Sequence, residues 1–82
     1  MGITMKFSLE VLEVLGAYAF AIRVTNETGE FTRLFVKEPE IVVSRIMQEK
    51  EDTTNFSKDL FKALIVDNLL EYSAENVAFL VG

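Results

Sequence analysis

Apolar and polar residues alternate from Met5 onward: Phe7, Leu9 and Val11 are apolar, whereas Lys6, Ser8 and Glu10 are polar. This two-residue period predicts a half-buried strand. The alternation slips at Val11-Leu12 and resumes as Leu12 and Val14 around Glu13. One extra residue flips the facing of a strand, so the slip predicts a β-bulge. A helix over Leu9 to Ala21 is the competing assignment, because Leu9, Leu12, Leu15 and Ala19 also share a helical face. Past Gly16 the pattern is cleaner. Tyr18, Phe20, Ile22 and Val24 fall on one side and Ala19, Ala21, Arg23 and Thr25 on the other, which suits a pleated surface.

Asn26-Glu27-Thr28-Gly29-Glu30 combines an Asn that tolerates turn geometry with a Gly that supplies positive φ, so it predicts a hairpin loop. Phe31 to Lys37 is the return strand, and Phe20, Ile22, Phe31 and Phe35 are candidates for apolar cross-strand contacts. The period changes at Pro39. A proline fits the first turn of a helix, and Glu38 and Glu40 favour its positive end. Val42, Val43, Ile46 and Met47 then form one face, with Glu40, Ser44, Arg45 and Gln48 turned away. The β-branched run Ile41-Val42-Val43 works against that helix.

The polar stretch from Glu49 to Asn55 reads as a connector, and Ser57 as the N-cap of a second helix, with Asp59 in its first turn. The apolar pattern carries this helix from Lys58 to Tyr72. Wound at 100° per residue, Phe61, Leu64, Ile65, Leu69 and Tyr72 cover one arc. Ala63, Val66 and Leu70 cover much of the opposite side, and Asp67 and Glu71 form the clearest polar stripe. A helix apolar on most sides is buried on most sides, and a chain of 82 residues has little core to offer. One resolution is a central helix wrapped by the rest of the domain. A second places Val66 and Leu70 at a subunit or partner interface, and a third, disfavoured by the lack of basic residues on the polar side, lays the helix on a membrane surface. Val77 to Val81 reads as a last strand, able to add to a partner's sheet.

Composition narrows the chemistry. The chain holds no histidine, cysteine or tryptophan, and half of its residues are hydrophobic. Disulfides and the usual zinc ligands are therefore absent, which leaves association as the way to reinforce a small core. Ser8, Ser44, Ser57 and Ser73 have no histidine base. The four glycines, Gly2, Gly16, Gly29 and Gly82, make no phosphate loop. The carboxylate pairs Glu10/Glu13 and Glu38/Glu40 and the group Glu49/Glu51/Asp52 read as edges, caps or loop rather than as acid–base or cation sites. The expectation is a chain without catalytic residues, metal or cofactor.

The formal charge is −5, from 13 acidic and 8 basic residues, and the basic residues form no run. A surface of that sign repels nucleic-acid phosphates and anionic lipid. The seven Phe and two Tyr, in an acidic chain whose basic residues form no run, read as core rather than as a base-stacking platform. No secretion-signal or membrane-span pattern is present, so the chain is expected in the cytoplasm, with Met1 to Thr4 as a disordered leader.

Together these readings give a single α+β domain over 1–82: an antiparallel meander of about three strands, two helices on one face, and a C-terminal strand joining the sheet. The expected function is non-catalytic protein binding, as a small adaptor, assembly factor or inhibitor. The partner is another protein or a second copy in a homodimer, held through Val66, Leu70, Val77, Phe79 and Val81. A second reading is a small acidic accessory protein of phage or viral type that blocks a basic nucleic-acid-binding site of a host enzyme. A small-molecule-binding or enzyme domain is the third.

Overall fold

A computed structural model of the chain describes residues 5–76. Three strands follow one another as hairpins: β1 (Lys6–Val14), β2 (Ala17–Thr25) and β3 (Phe31–Val36). Helices α1 (Pro39–Gln48) and α2 (Lys58–Val66) come next, then a two-residue strand, β4 (Leu70–Glu71). All strand pairs are antiparallel and the sheet order is β1-β2-β3-β4. The α+β meander with two helices is as the pattern predicts, but the fourth strand is Leu70–Glu71. The strand expected at Val77 to Val81 lies outside the described residues.

The predicted bulge is absent, as is the competing helix. β1 and β2 pair without interruption from Lys6 opposite Thr25 to Val14 opposite Ala17. The alternation slips because both faces of the far end of this hairpin carry apolar side chains. Its turn is Leu15-Gly16, with φ of 52° and 82°, the paired positive values of a tight hairpin turn. The second hairpin turns through Asn26 to Glu30 as expected. The Asn26 Oδ1 accepts from the backbone N–H groups of Thr28 and Glu30 at 3.1 and 2.9 Å, and Gly29 takes φ 90°.

Strand parity sorts the side chains. Phe7 and Leu9 of β1, Ile22 and Val24 of β2, Leu34 and Val36 of β3, and Leu70 of β4 share one face. Both helices pack on it, with Val42 and Ile46 from α1 and Leu60, Phe61 and Leu64 from α2 in the same core. Phe7 stacks on Phe61 at 4.6 Å between ring centroids and meets Phe56 at 5.9 Å. Phe31 and Phe35 pair with Thr25 and Ala21 and so lie on the opposite face from Ile22. The cross-strand apolar cluster expected of these four residues therefore does not form.

α1 begins with Pro39 in its first turn, and α2 is capped by the Ser57 hydroxyl, which accepts from the Leu60 N–H at 3.2 Å. Both helices end in the same way. Lys50 and Asn68 adopt left-handed φ of 55° and 58°. The next N–H groups, of Glu51 and Leu69, reach back to the carbonyls of Ile46 and Leu64, a Schellman closure. α2 thus stops at Val66 rather than running to Tyr72. Its apparent apolar excess came from treating Leu69, Leu70 and Tyr72 as helical.

The polar connector after α1 belongs to the sheet edge. Phe56 N–H donates to the Phe7 carbonyl at 3.0 Å, and Leu9 N–H donates to the Thr53 carbonyl at 2.7 Å. The outer edge of β1 is covered as far as Leu9 by these bonds.

Candidate functional site

The β1–β2 hairpin is longer than the strand beside it. β3 pairs with β2 only from Ala21 to Thr25, so Ala17 to Phe20 pair with β1 alone. The part of the hairpin from Val11 to Val14 and back through Ala17 to Phe20 projects as an arm of about 14 Å at the usual rise per residue. Val11 and Phe20 are opposite each other on its helix-bearing face, with Glu13 and Tyr18 beyond them. Val14 and Leu12 lie on the other face by the same parity.

Exposure is concentrated there. Six of the ten exposed large hydrophobic residues among those described are Val11, Val14, Leu15 and Tyr18 on the arm and Ile41 and Met47 on α1. Tyr18 is 76 % exposed and Met47 70 %. A groove of about 1190 Å³ runs between arm and helix, lined by Phe20 from the arm and by Pro39, Ile41, Val43 and Met47 from α1. Its ionisable lining is Glu38 and Glu40, and no lysine or arginine lines it. The α1 pattern explains the surplus. Val42 and Ile46 enter the core, whereas Val43 is half-buried and Met47 exposed, so the apolar stripe of the sequence is wider than the core it serves.

Leu15 adds a local cost. It is fully exposed and sits in the left-handed region, where a residue other than Gly, Asn or Asp is strained by about 1–2 kcal/mol. Neither solvation nor backbone geometry favours leucine at that position.

A second cluster lies on the sheet face without helices. The Arg33 Nε donates to the Glu10 carboxylate at 2.7 Å and the Arg23 Nη1 donates to its other oxygen at 3.3 Å. Both guanidiniums also stand over the Phe31 ring, at 4.1 Å for Arg23 and 4.8 Å for Arg33. The assignment of the aromatics to the core holds for Phe7, Phe56 and Phe61 and is corrected for Phe31, Phe35, Tyr18 and Tyr72, which are exposed, with Arg23 and Arg33 against the Phe31 ring. Arg23 and Arg33 are paired across neighbouring strands, a proximity that sequence spacing hides. The two cations share one carboxylate and one ring, which ties β1, β2 and β3 together, and the buried Arg23 Nε has no hydrogen-bond partner among the described residues.

The interface residues named from the sequence separate. Val66 is 81 % exposed at the end of α2. Leu70 is in the core, 1 % exposed and opposite Val36, and is corrected from contact surface to core. Val77, Phe79 and Val81 lie outside the described residues. The arm was missed; its signal was the slipped alternation at Val11-Leu12. Glu49 is the C-cap of α1, and Asp52 accepts from the N–H and hydroxyl of Thr54 at 2.9 and 2.8 Å, so these acids terminate a helix and shape a turn.

Among the described residues no helix is long and apolar enough to cross a membrane. No family model, curated protein or solved structure matches the chain.

Proposed function

We propose that this chain is a non-catalytic protein-interaction module of the cytoplasm, a small adaptor, assembly factor or inhibitor. It binds through the hairpin arm and the outer side of α1. The observation that carries this reading is the apolar groove between Phe20 of the arm and the exposed Ile41 and Met47 of α1, with exposed Val11 and Tyr18 on the same face of the arm. Contiguous exposed apolar surface of this kind marks interaction sites on small domains. The strained, exposed Leu15 at the arm's tip supports the same reading, because local strain collects where function outweighs stability. Association also suits a chain that has no disulfide or zinc ligand to reinforce a small core.

The test is affinity capture from the native source with the wild-type chain and with a Tyr18→Lys/Met47→Glu double variant. Both positions are exposed, so the thermal unfolding midpoint should hold within a few degrees. A partner retained by wild type and lost by the variant supports the proposal. An unchanged set of captured proteins refutes it. Sedimentation of the purified chain reads self-association in parallel: a dimer dissolved by the same substitutions makes the partner a second copy.

A further inference from the structure

The arm–α1 groove also carries information about what enters it. Resting on the binding role proposed above, we infer that its occupant is an amphipathic helix of a partner protein, apolar along one side and bearing Lys or Arg on its flanks. The shape argues for a helix. α1 and α2 cover one face of the sheet, and that face continues past them along the arm through Val11 and Phe20. A sheet face of this kind is completed by another helix in the same layer. The groove of about 1190 Å³ is lined by the apolar side chains of Phe20, Pro39, Ile41, Val43 and Met47, a lining that the apolar stripe of a helix fits. An arm of about 14 Å matches two to three helical turns at the usual pitch.

Charge sets the flanks. Glu38 and Glu40 line the groove without a basic residue, and Glu13 stands on the same face of the arm opposite Tyr18. The positive end of α1 contributes only about half a unit of charge against the two lining carboxylates. The groove therefore attracts cations and disfavours an acidic occupant. Met47, unbranched and polarisable, adapts to apolar side chains of differing shape.

A second copy of this chain fits poorly. The apolar faces of its helices are already used: Val42 and Ile46 of α1 and Leu60, Phe61 and Leu64 of α2 are in their own core. Placing the remaining outer side of α1 in the groove of another copy would bring Glu38 and Glu40 against their equivalents, in a chain of net charge −5.

The test is selection from a displayed library of 18-residue helices with apolar residues at i, i+3, i+4 and i+7 and randomised flanks, counter-selected on the Met47→Glu variant. Selected peptides should be rich in Lys and Arg at the flanks. The best of them, titrated in solution, should bind the Glu38→Lys/Glu40→Lys variant about ten-fold more weakly than wild type, because opposite charges become like charges at the rim. Reversal of two distant acids, Glu27→Lys/Glu75→Lys, makes the same change in net charge and should alter affinity by less than about two-fold. Neutral or acidic flanks, equal weakening by both reversals, or no helix that distinguishes wild type from Met47→Glu would each overturn the inference. If no such helix is found while Met47→Glu still loses the captured partner, the binding surface stands and its helical, basic occupant falls.

Discussion

Val66 and Leu70 are four residues apart and sit in opposite environments: Val66 is 81 % exposed and Leu70 is 1 % exposed. The left-handed Asn68 between them ends α2 and redirects the chain, so that Leu70 pairs with Val36 at the edge of the sheet. Leu70→Ala should therefore cost about 2–4 kcal/mol, the usual range for emptying a core leucine site. Val66→Ala should stay within about 0.5 kcal/mol. Urea unfolding of the two variants checks this, and equal losses would contradict the placement of β4.

The tip of the arm trades stability for exposure. Leu15→Asn creates the Asn-Gly pair favoured at tight hairpin turns and relieves the left-handed leucine. It should stabilise the fold by about 0.5–1 kcal/mol and weaken partner capture. A variant that is less stable than wild type would show that Leu15 makes a contact the monomer needs.

Lys50 closes α1 in a conformation that suits glycine. Lys50→Gly should raise stability by about 0.5–1 kcal/mol, whereas Lys50→Ala should not, because alanine retains the Cβ that crowds the left-handed region. Thermal unfolding of the pair separates backbone strain from loss of the lysine charge, which the two variants share.

Glu10 is the acceptor for both Arg23 and Arg33. Its replacement by Gln removes the charge and leaves two guanidiniums over one phenyl ring. The cost should be about 1 kcal/mol, as for a partly exposed ion-pair network. It should shrink in 1 M salt, where the screening length falls to about 3 Å. A loss that does not respond to salt would assign Glu10 a packing role instead.

Asp52 gives a pH dependence of known sign. The backbone N–H and then the hydroxyl of Thr54 hold its carboxyl below the ordinary value of 3.8, against a smaller opposing effect of desolvation. A lowered folded-state pKa contributes stability that is complete above the unfolded value and is lost as pH falls through the folded one. The stability difference between wild type and Asp52→Asn should therefore be flat above about pH 5 and decline below pH 3.8. A difference that changes between pH 5 and 8 would point to another group.

Much of the architecture is local in origin and can be read without coordinates. The alternation from Ala17 to Thr25, the Asn26–Glu30 loop, Pro39 in the first turn of α1 and the Ser57 cap depend on residues within a few positions of one another, and each forms where its pattern places it. The same pattern showed that the chain has more apolar surface than one small core takes up. It assigned the surplus to the wrong element, because helical periodicity continues through Leu69, Leu70 and Tyr72 while the backbone does not.

Where the surplus lies was decided by tertiary structure. β3 is shorter than the hairpin it joins, which leaves Val11 and Tyr18 beyond the core, and α1 turns Val42 and Ile46 inward while leaving Met47 outside. The cluster of Glu10, Arg23, Arg33 and Phe31 likewise exists only because three strands align. Sequence determines which side chains must leave water and the local geometry of each turn and cap. Strand register and the left-handed helix endings at Lys50 and Asn68 determine which of those side chains find cover, because burial depends on neighbours far apart in the chain.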